Sequence, residues 1–135
     1  MVVDTIKRFG PHRLSDPPRS LLYDTLPLED QYQKEFYRCL DTLLDGQVVI
    51  SPEFIAKEGA SSGTIDFLLP FKRWGFELLR DRDRLVAHME RFEDGGQYFD
   101  LIQSGDMEQY IVLDFTVTQP KKLRPGIIPF PLSQP

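Results

Sequence analysis

Hydrophobic and polar positions change period several times along this chain. From Pro27 to about Asp45, Leu28, Tyr32, Phe36, Cys39, Leu40 and Leu43 recur at steps of three and four, which predicts an amphipathic helix. Pro27 suits its first turn and Gly46 the position just past its end. Gln47–Ser51 (QVVIS) is β-branched and predicts a short strand closed by Ser51-Pro52. A small, polar loop follows from Ala56, and then the stretch Gly63–Arg80, GTIDFLLPFKRWGFELLR, reads as a β-hairpin. Its two apolar runs are broken by Pro70 and Lys72-Arg73. Asp83 to about Phe92 predicts a helix with Leu85, Val86, Met89 and Phe92 inward, ended by Gly95-Gly96. A short helix over Tyr98–Ser104 comes next. Tyr110–Val117 (YIVLDFTV) is the most strand-like run and is expected at the centre of a sheet.

This order, αβββαβ, predicts an α/β (α+β) domain over 27–118 with a mixed central sheet of about four strands flanked by helices. Residues 1–26, with Pro11, Pro17 and Pro18 and little period, read as an extended or partly disordered lead-in. Residues 119–135, with Pro120, Pro125, Pro129, Pro131 and Pro135, read as an extended tail.

Composition narrows the function classes. At 135 residues and 41% hydrophobic, the chain suits one globular domain. It has no apolar run near the ~20 residues of a membrane span, and MVVDTIKRFGPHR is not a secretory leader, so an intracellular protein without a membrane partner is expected. Cys39, the single cysteine, excludes an internal disulfide and a Cys-rich zinc site. Only His12 and His88 could serve a His-based one. The net charge of −5 gives nucleic-acid binding no general support. Locally, Pro70 to Arg91 carries Lys72, Arg73, Arg80, Arg82, Arg84 and Arg91 against Glu77, Asp81, Asp83 and Glu90. No GxxxxGK followed by Ser or Thr is present, so nucleotide hydrolysis has no motif behind it.

The candidate chemistry lies in acids placed among residues that favour burial. Asp66 and Glu77 each sit within an apolar strand, and a carboxylate taken out of water costs several kcal/mol unless paired, protonated or metal-bound. Alternation puts Thr64, Asp66 and Leu68 on one face of the first strand and Gly75, Glu77 and Leu79 on one face of the second, so the two acids can meet as a hard divalent cation requires. Glu35 falls inside the stripe of the preceding helix, with Glu29 as the alternative acid there, and Asp114 is a further buried-acid candidate. The plainer reading stands beside this one: Asp66 caps a turn, Glu77 pairs with a neighbouring Arg, and Glu35 reaches water. Arg84, His88 and Arg91, at steps of four and three, could hold a phosphodiester or form an ordinary helix surface.

At the level of element order the chain resembles the restriction-endonuclease-like PD-(D/E)XK core. More narrowly, the strings EDQYQKEFYRCL, ISPE, GTIDFLLP, KRWGFELLR, LVAHMERF, GGQY and YIVLDFTVTQP, running from about Leu26 to Pro120, resemble the nuclease-like C-terminal module of Crinkler-type proteins of fungi and oomycetes. The resemblance implies a Mg²⁺-dependent (or Mn²⁺-dependent) endonuclease hydrolysing DNA, placed in a nucleus. Asp66 and Glu77 would hold the metal, Glu35 would assist, Arg80 and His88 would serve the reacting phosphate, and Arg84 and Arg91 would bind phosphate. The chain departs from that pattern in having Leu79, not Lys, two residues after Glu77. Arg80 follows, and an Arg cannot act as a general base. Ile65 rather than Pro precedes Asp66. A catalytically inactive interaction module with the same fold is the alternative these departures leave.

Overall fold

The computed structural model describes residues 1–14, 29–57, 63–81 and 84–116. In chain order the elements are α1 (Val2–Lys7), α2 (Pro11–Leu14), α3 (Glu29–Leu43), β1 (Ser51–Lys57), β2 (Gly63–Leu69), β3 (Trp74–Arg80), α4 (Leu85–Glu90), α5 (Phe99–Ser104) and β4 (Gln109–Phe115). The strands form one mixed sheet in the order β1-β2-β3-β4. β1, β2 and β3 make an antiparallel meander, and β4 returns through α4 and α5 to lie parallel to β3. Both faces of this sheet are covered. Phe36 and Leu40 of α3 pack with Phe67, Leu69, Phe76 and Leu78 on one face. On the other, Phe92, Tyr98, Leu101 and Met107 pack with Ile65 and Leu68. No helix among the described residues is long and apolar enough to cross a membrane.

Four expectations change. The strand that precedes the two acid-bearing strands is not Gln47–Ser51 but Ser51–Lys57. Ser51 pairs with Leu68, so the residues before it would lie opposite the end of β2 and Pro70, where the ladder stops. Val48 and Ile50 instead cap the first core. Pro52 is tolerated in β1 because the strand is an edge. Tyr110–Val117 is not central among the described strands. β4 borders only β3, and its apolar character comes from helices on both faces, as in parallel pairs generally.

The lead-in is also not extended over residues 1–14. α1 and α2 pack on α3, Met1, Val2 and Phe9 join the first core, and Phe9 stacks on Phe115 at 5.7 Å between ring centres. Residues 15–26 and the tail from 119 lie outside the described residues, as do Arg82 and Asp83. Finally, strict alternation fails at Asp66. It is absent from the recorded pairs of both ladders, and Glu53, the residue due opposite it on β1, has φ +50°. Ile65 and Leu68 consequently share a face, while Phe67 and Leu69 point to the other.

Candidate active site

Among the described residues Glu77 is the most secluded acid, 1% exposed on the face of β3 turned to α4 and α5. Three side chains from the segment after β3 converge on it. The Tyr98 hydroxyl donates to Oε1 at 2.5 Å, His88 Nδ1 lies 2.8 Å from Oε2, and Arg91 Nη1 is 3.6 Å from Oε2. Tyr98 is itself pinned, its oxygen 2.7 Å from the Thr64 carbonyl and accepting a 3.3 Å bond from Arg91 Nη1. Burial, then the bond to Glu77, pushes its phenol pKa up. The sequence positions these groups by a short helix and a tight return. Arg84, at φ +51°, opens α4 with His88 one turn on, and Arg91 caps its end. The Tyr98 amide then bonds the Arg91 carbonyl at 2.8 Å. A side chain at Gly96 would meet the Glu90 carbonyl at 2.3 Å, so only glycine allows this close return.

Asp66 stands beside this cluster where β2 and β3 part. Leu78 N–H donates to its Oδ2 at 2.7 Å, so the side chain supplies a bond that the interrupted ladder does not. It is half-buried, and burial pushes its pKa up to about 6. The Leu78 bond opposes the shift, Glu77 adds to it, and His88 and Arg91 pull the other way. The two strand acids therefore feel each other's field.

Glu35 is not with them. It faces the amino-terminal helices from α3, on the other side of the sheet. Gly10 N–H donates to Oε1 at 2.7 Å, and Arg38 grips both oxygens at 2.5 and 3.1 Å. That bond to Arg38 is the chief reason its pKa falls to about 2. The three-acid set expected from the resemblance is thus a pair and a separate ion pair. No group of three or more His, Cys, Asp or Glu side chains among the described residues could hold a metal ion.

The row Arg84, His88, Arg91 splits as well: Arg84 is exposed, whereas His88 and Arg91 turn inward to Glu77. Arg80 lies with Nε 3.6 Å from Asp81 Oδ2 at the end of β3. Asp114 is half-buried on β4. Glu29, the alternative acid, opens α3. Sequence reasoning left Tyr98 out of the site. Its one signal was a hydroxyl-bearing ring two residues after the double glycine Gly95-Gly96. Compared with known proteins, this chain matches no protein-family model, no curated protein and no solved structure.

Proposed function

We propose that this chain is a restriction-endonuclease-like domain of Crinkler type whose Asp66–Glu77 pair serves metal-dependent hydrolysis of DNA phosphodiesters. The observation that carries the reading is the placement of these two acids on adjacent central strands, where those strands separate, with His88 and Arg91 drawn to the same point. A mixed sheet of four strands flanked by helices is consistent with the order αβββαβ on which the resemblance rests.

Mg²⁺ commonly takes one or two protein carboxylates and completes its shell with water and substrate phosphate oxygens. Asp66 fits that part: burial disfavours its charge, a nearby cation would restore it, and one carboxylate oxygen is committed to Leu78. Asp66 would hold the metal, with Glu77 adding negative charge beside it. When bound, the metal would supply an activated water and stabilise charge on the phosphate. Arg80 contributes fixed positive charge at the strand end and no proton transfer. Exposed Arg84 is placed to meet a phosphate from solvent. Glu35 takes no part, because Arg38 and Gly10 occupy it on the opposite face. Location in a nucleus belongs to the same proposal and rests on the resemblance.

A second reading, a nuclease-fold interaction module without hydrolysis, is favoured by one specific observation: both oxygens of Glu77 already face protein donors. Cleavage of plasmid and of single-stranded DNA in Mg²⁺, in Mn²⁺ and in chelator separates the two. The hydrolase reading expects metal-dependent cutting that Asp66→Ala abolishes while the variant still melts cooperatively. No cutting by folded wild type in either metal supports the module, and equal residual cutting by wild type and variant marks a contaminant and removes the enzyme claim.

A further inference from the structure

The two outer strands of the sheet are built differently. β1 is blunted as exposed edges usually are: it holds Pro52, its register slips between Ile55 and Lys57, and Glu53 has φ +50°. β4, QYIVLDF, has none of these devices. It contains no Pro, Gly, Lys or Arg and keeps continuous register with β3 from Gln109 to Phe115. Gln109 N–H bonds the Arg73 carbonyl at 3.2 Å, and the Phe115 carbonyl accepts from Asp81 N–H at 2.9 Å, so the odd-numbered residues of β4 turn their backbone groups to β3. By alternation Tyr110 and Val112 turn theirs to the other side, where no strand lies among the described residues. Apolar side chains are exposed on both faces there. Tyr110, 45% exposed, stacks on Phe92 just past α4, and Ile111, 41% exposed, shares the opposite face with Leu113. A strand of this composition suits the inside of a sheet.

The carboxy-terminal sequence, outside the described residues, matches that edge. After Arg124 it reads PGIIPFPLSQP, without a charge, and Pro125, Pro129, Pro131 and Pro135 all fall at odd positions. A proline is accepted in a strand where its missing N–H would face away from the neighbouring strand. One parity of this segment therefore carries every proline, and the other keeps its donors, on Ile128, Phe130 and Leu132. Between Thr116 and Ile128 lie eleven residues, among them Pro120 and the pair Pro125-Gly126, which favour a reversal of the chain. We propose that residues 126–132 of the same chain add to β4 as a fifth, antiparallel strand, with Ile128, Phe130 and Leu132 bonding toward Tyr110 and Val112 and with Pro129 and Pro131 on the outer rim. The addition covers Tyr110 on one face and Ile111 on the other. It also replaces an unprotected edge by one short of donors, which closes the sheet to further strands. The edge of β4 is thus a docking site for an uncharged, proline-alternating segment, recognised through main-chain bonds, and the chain carries its own occupant.

The test is residue-resolved amide hydrogen exchange on the full chain. Tyr110 and Val112 N–H should exchange at least about tenfold more slowly than unprotected amides. Ile128→Pro removes an inward donor and should return both to the fast rate. Ile127→Pro takes away a similar side chain at an outward position and should leave both protected. Ile111 and Leu113, whose backbone faces β3, should stay slow in all three proteins. Fast exchange at Tyr110 and Val112 in the unaltered chain would overturn the proposal, and so would equal effects of the two prolines. Protection that rises with protein concentration, together with a dimer in sedimentation, would overturn it in favour of a second copy as the occupant. Deleting residues 119–135 should reproduce the Ile128→Pro pattern. Should that truncated chain fail to fold, the two proline variants of the full chain decide.

Discussion

Asp66 is a half-buried carboxylate and Glu35 a buried one, and their surroundings drive them in opposite directions. Burial dominates at Asp66 and lifts it to about 6, whereas the Arg38 bond dominates at Glu35 and lowers it to about 2. The linkage signs follow. Between the ordinary Asp value near 4 and about 6, folded protein holds the Asp66 proton more tightly than unfolded protein does, so stability falls as pH rises through that window. Asp66→Asn keeps an acceptor for Leu78 N–H and acquires no charge as pH rises. Urea unfolding should therefore show it gaining on wild type between pH 4 and 8, by on the order of 1–3 kcal/mol at pH 8; a constant gap across pH would refute the assignment. Glu35 works the other way: its contribution is full above the ordinary carboxylate value and disappears as pH falls toward 2. Glu35→Gln should cost about 2 kcal/mol at pH 7, the worth of a charge-assisted bond, and the deficit should vanish near pH 2. Neither direction was legible in the sequence. The burial that decides Asp66 exists only in the folded chain, and the Gly10 N–H that joins Arg38 on Glu35 is brought there from 25 residues away.

At the scale of elements, what could be read was what the local pattern alone determines. The helix expected from Pro27 is α3, the hairpin from Gly63 to Arg80 is β2 and β3, and the short helix near Tyr98 is α5. β1 was misplaced because Val48, Val49 and Ile50 are better strand formers than Pro52 and Glu53, yet register with β2 decides which residues pair. α1 and α2 were missed for a related reason. Helices this short are not stable by propensity and form here because Phe9 stacks on Phe115 and Gly10 bonds Glu35. The hairpin also contains a close approach that no periodicity announces. A Cβ at Gly75 would lie 2.3 Å from Met107 Sδ and 2.7 Å from Ile65 Cδ1. Gly75→Ala should then cost about 1–3 kcal/mol through overpacking, measured by chemical denaturation. A second change, Met107→Ala, should relieve part of that cost in a double-mutant cycle, and strict additivity would show that the crowding lies elsewhere.

For the whole molecule the sheet works as a partition. The candidate site is built on the side of α4 and α5, while α3 and the amino-terminal helices close the other core. Tyr98, His88 and Arg91, which meet Glu77, all come from residues 88–98, on the side of the sheet away from residues 1–14. The first core, by contrast, depends on that segment for Met1, Val2 and Phe9, and Tyr32 stacks on Phe115 at 4.5 Å beside it. Deleting residues 1–10 should uncover those surfaces. Three apolar side chains at roughly 1–2 kcal/mol each amount to a large part of the ~5–15 kcal/mol that keeps a domain folded. The truncated protein should therefore melt well below the full chain and bind a hydrophobic dye at temperatures where the full chain does not. If it remains folded in the cold, its Mn²⁺ affinity there should stay within about twofold of the full chain's, because the bonds of Tyr98 and His88 to Glu77 and of Leu78 to Asp66 involve no residue of the deleted segment. A truncation that left the melting point unchanged would mean that the amino-terminal helices add nothing to the core. One that weakened Mn²⁺ binding tenfold in the still-folded protein would mean that the two faces are coupled through the strands, and that the domain is a single cooperative unit centred on the sheet.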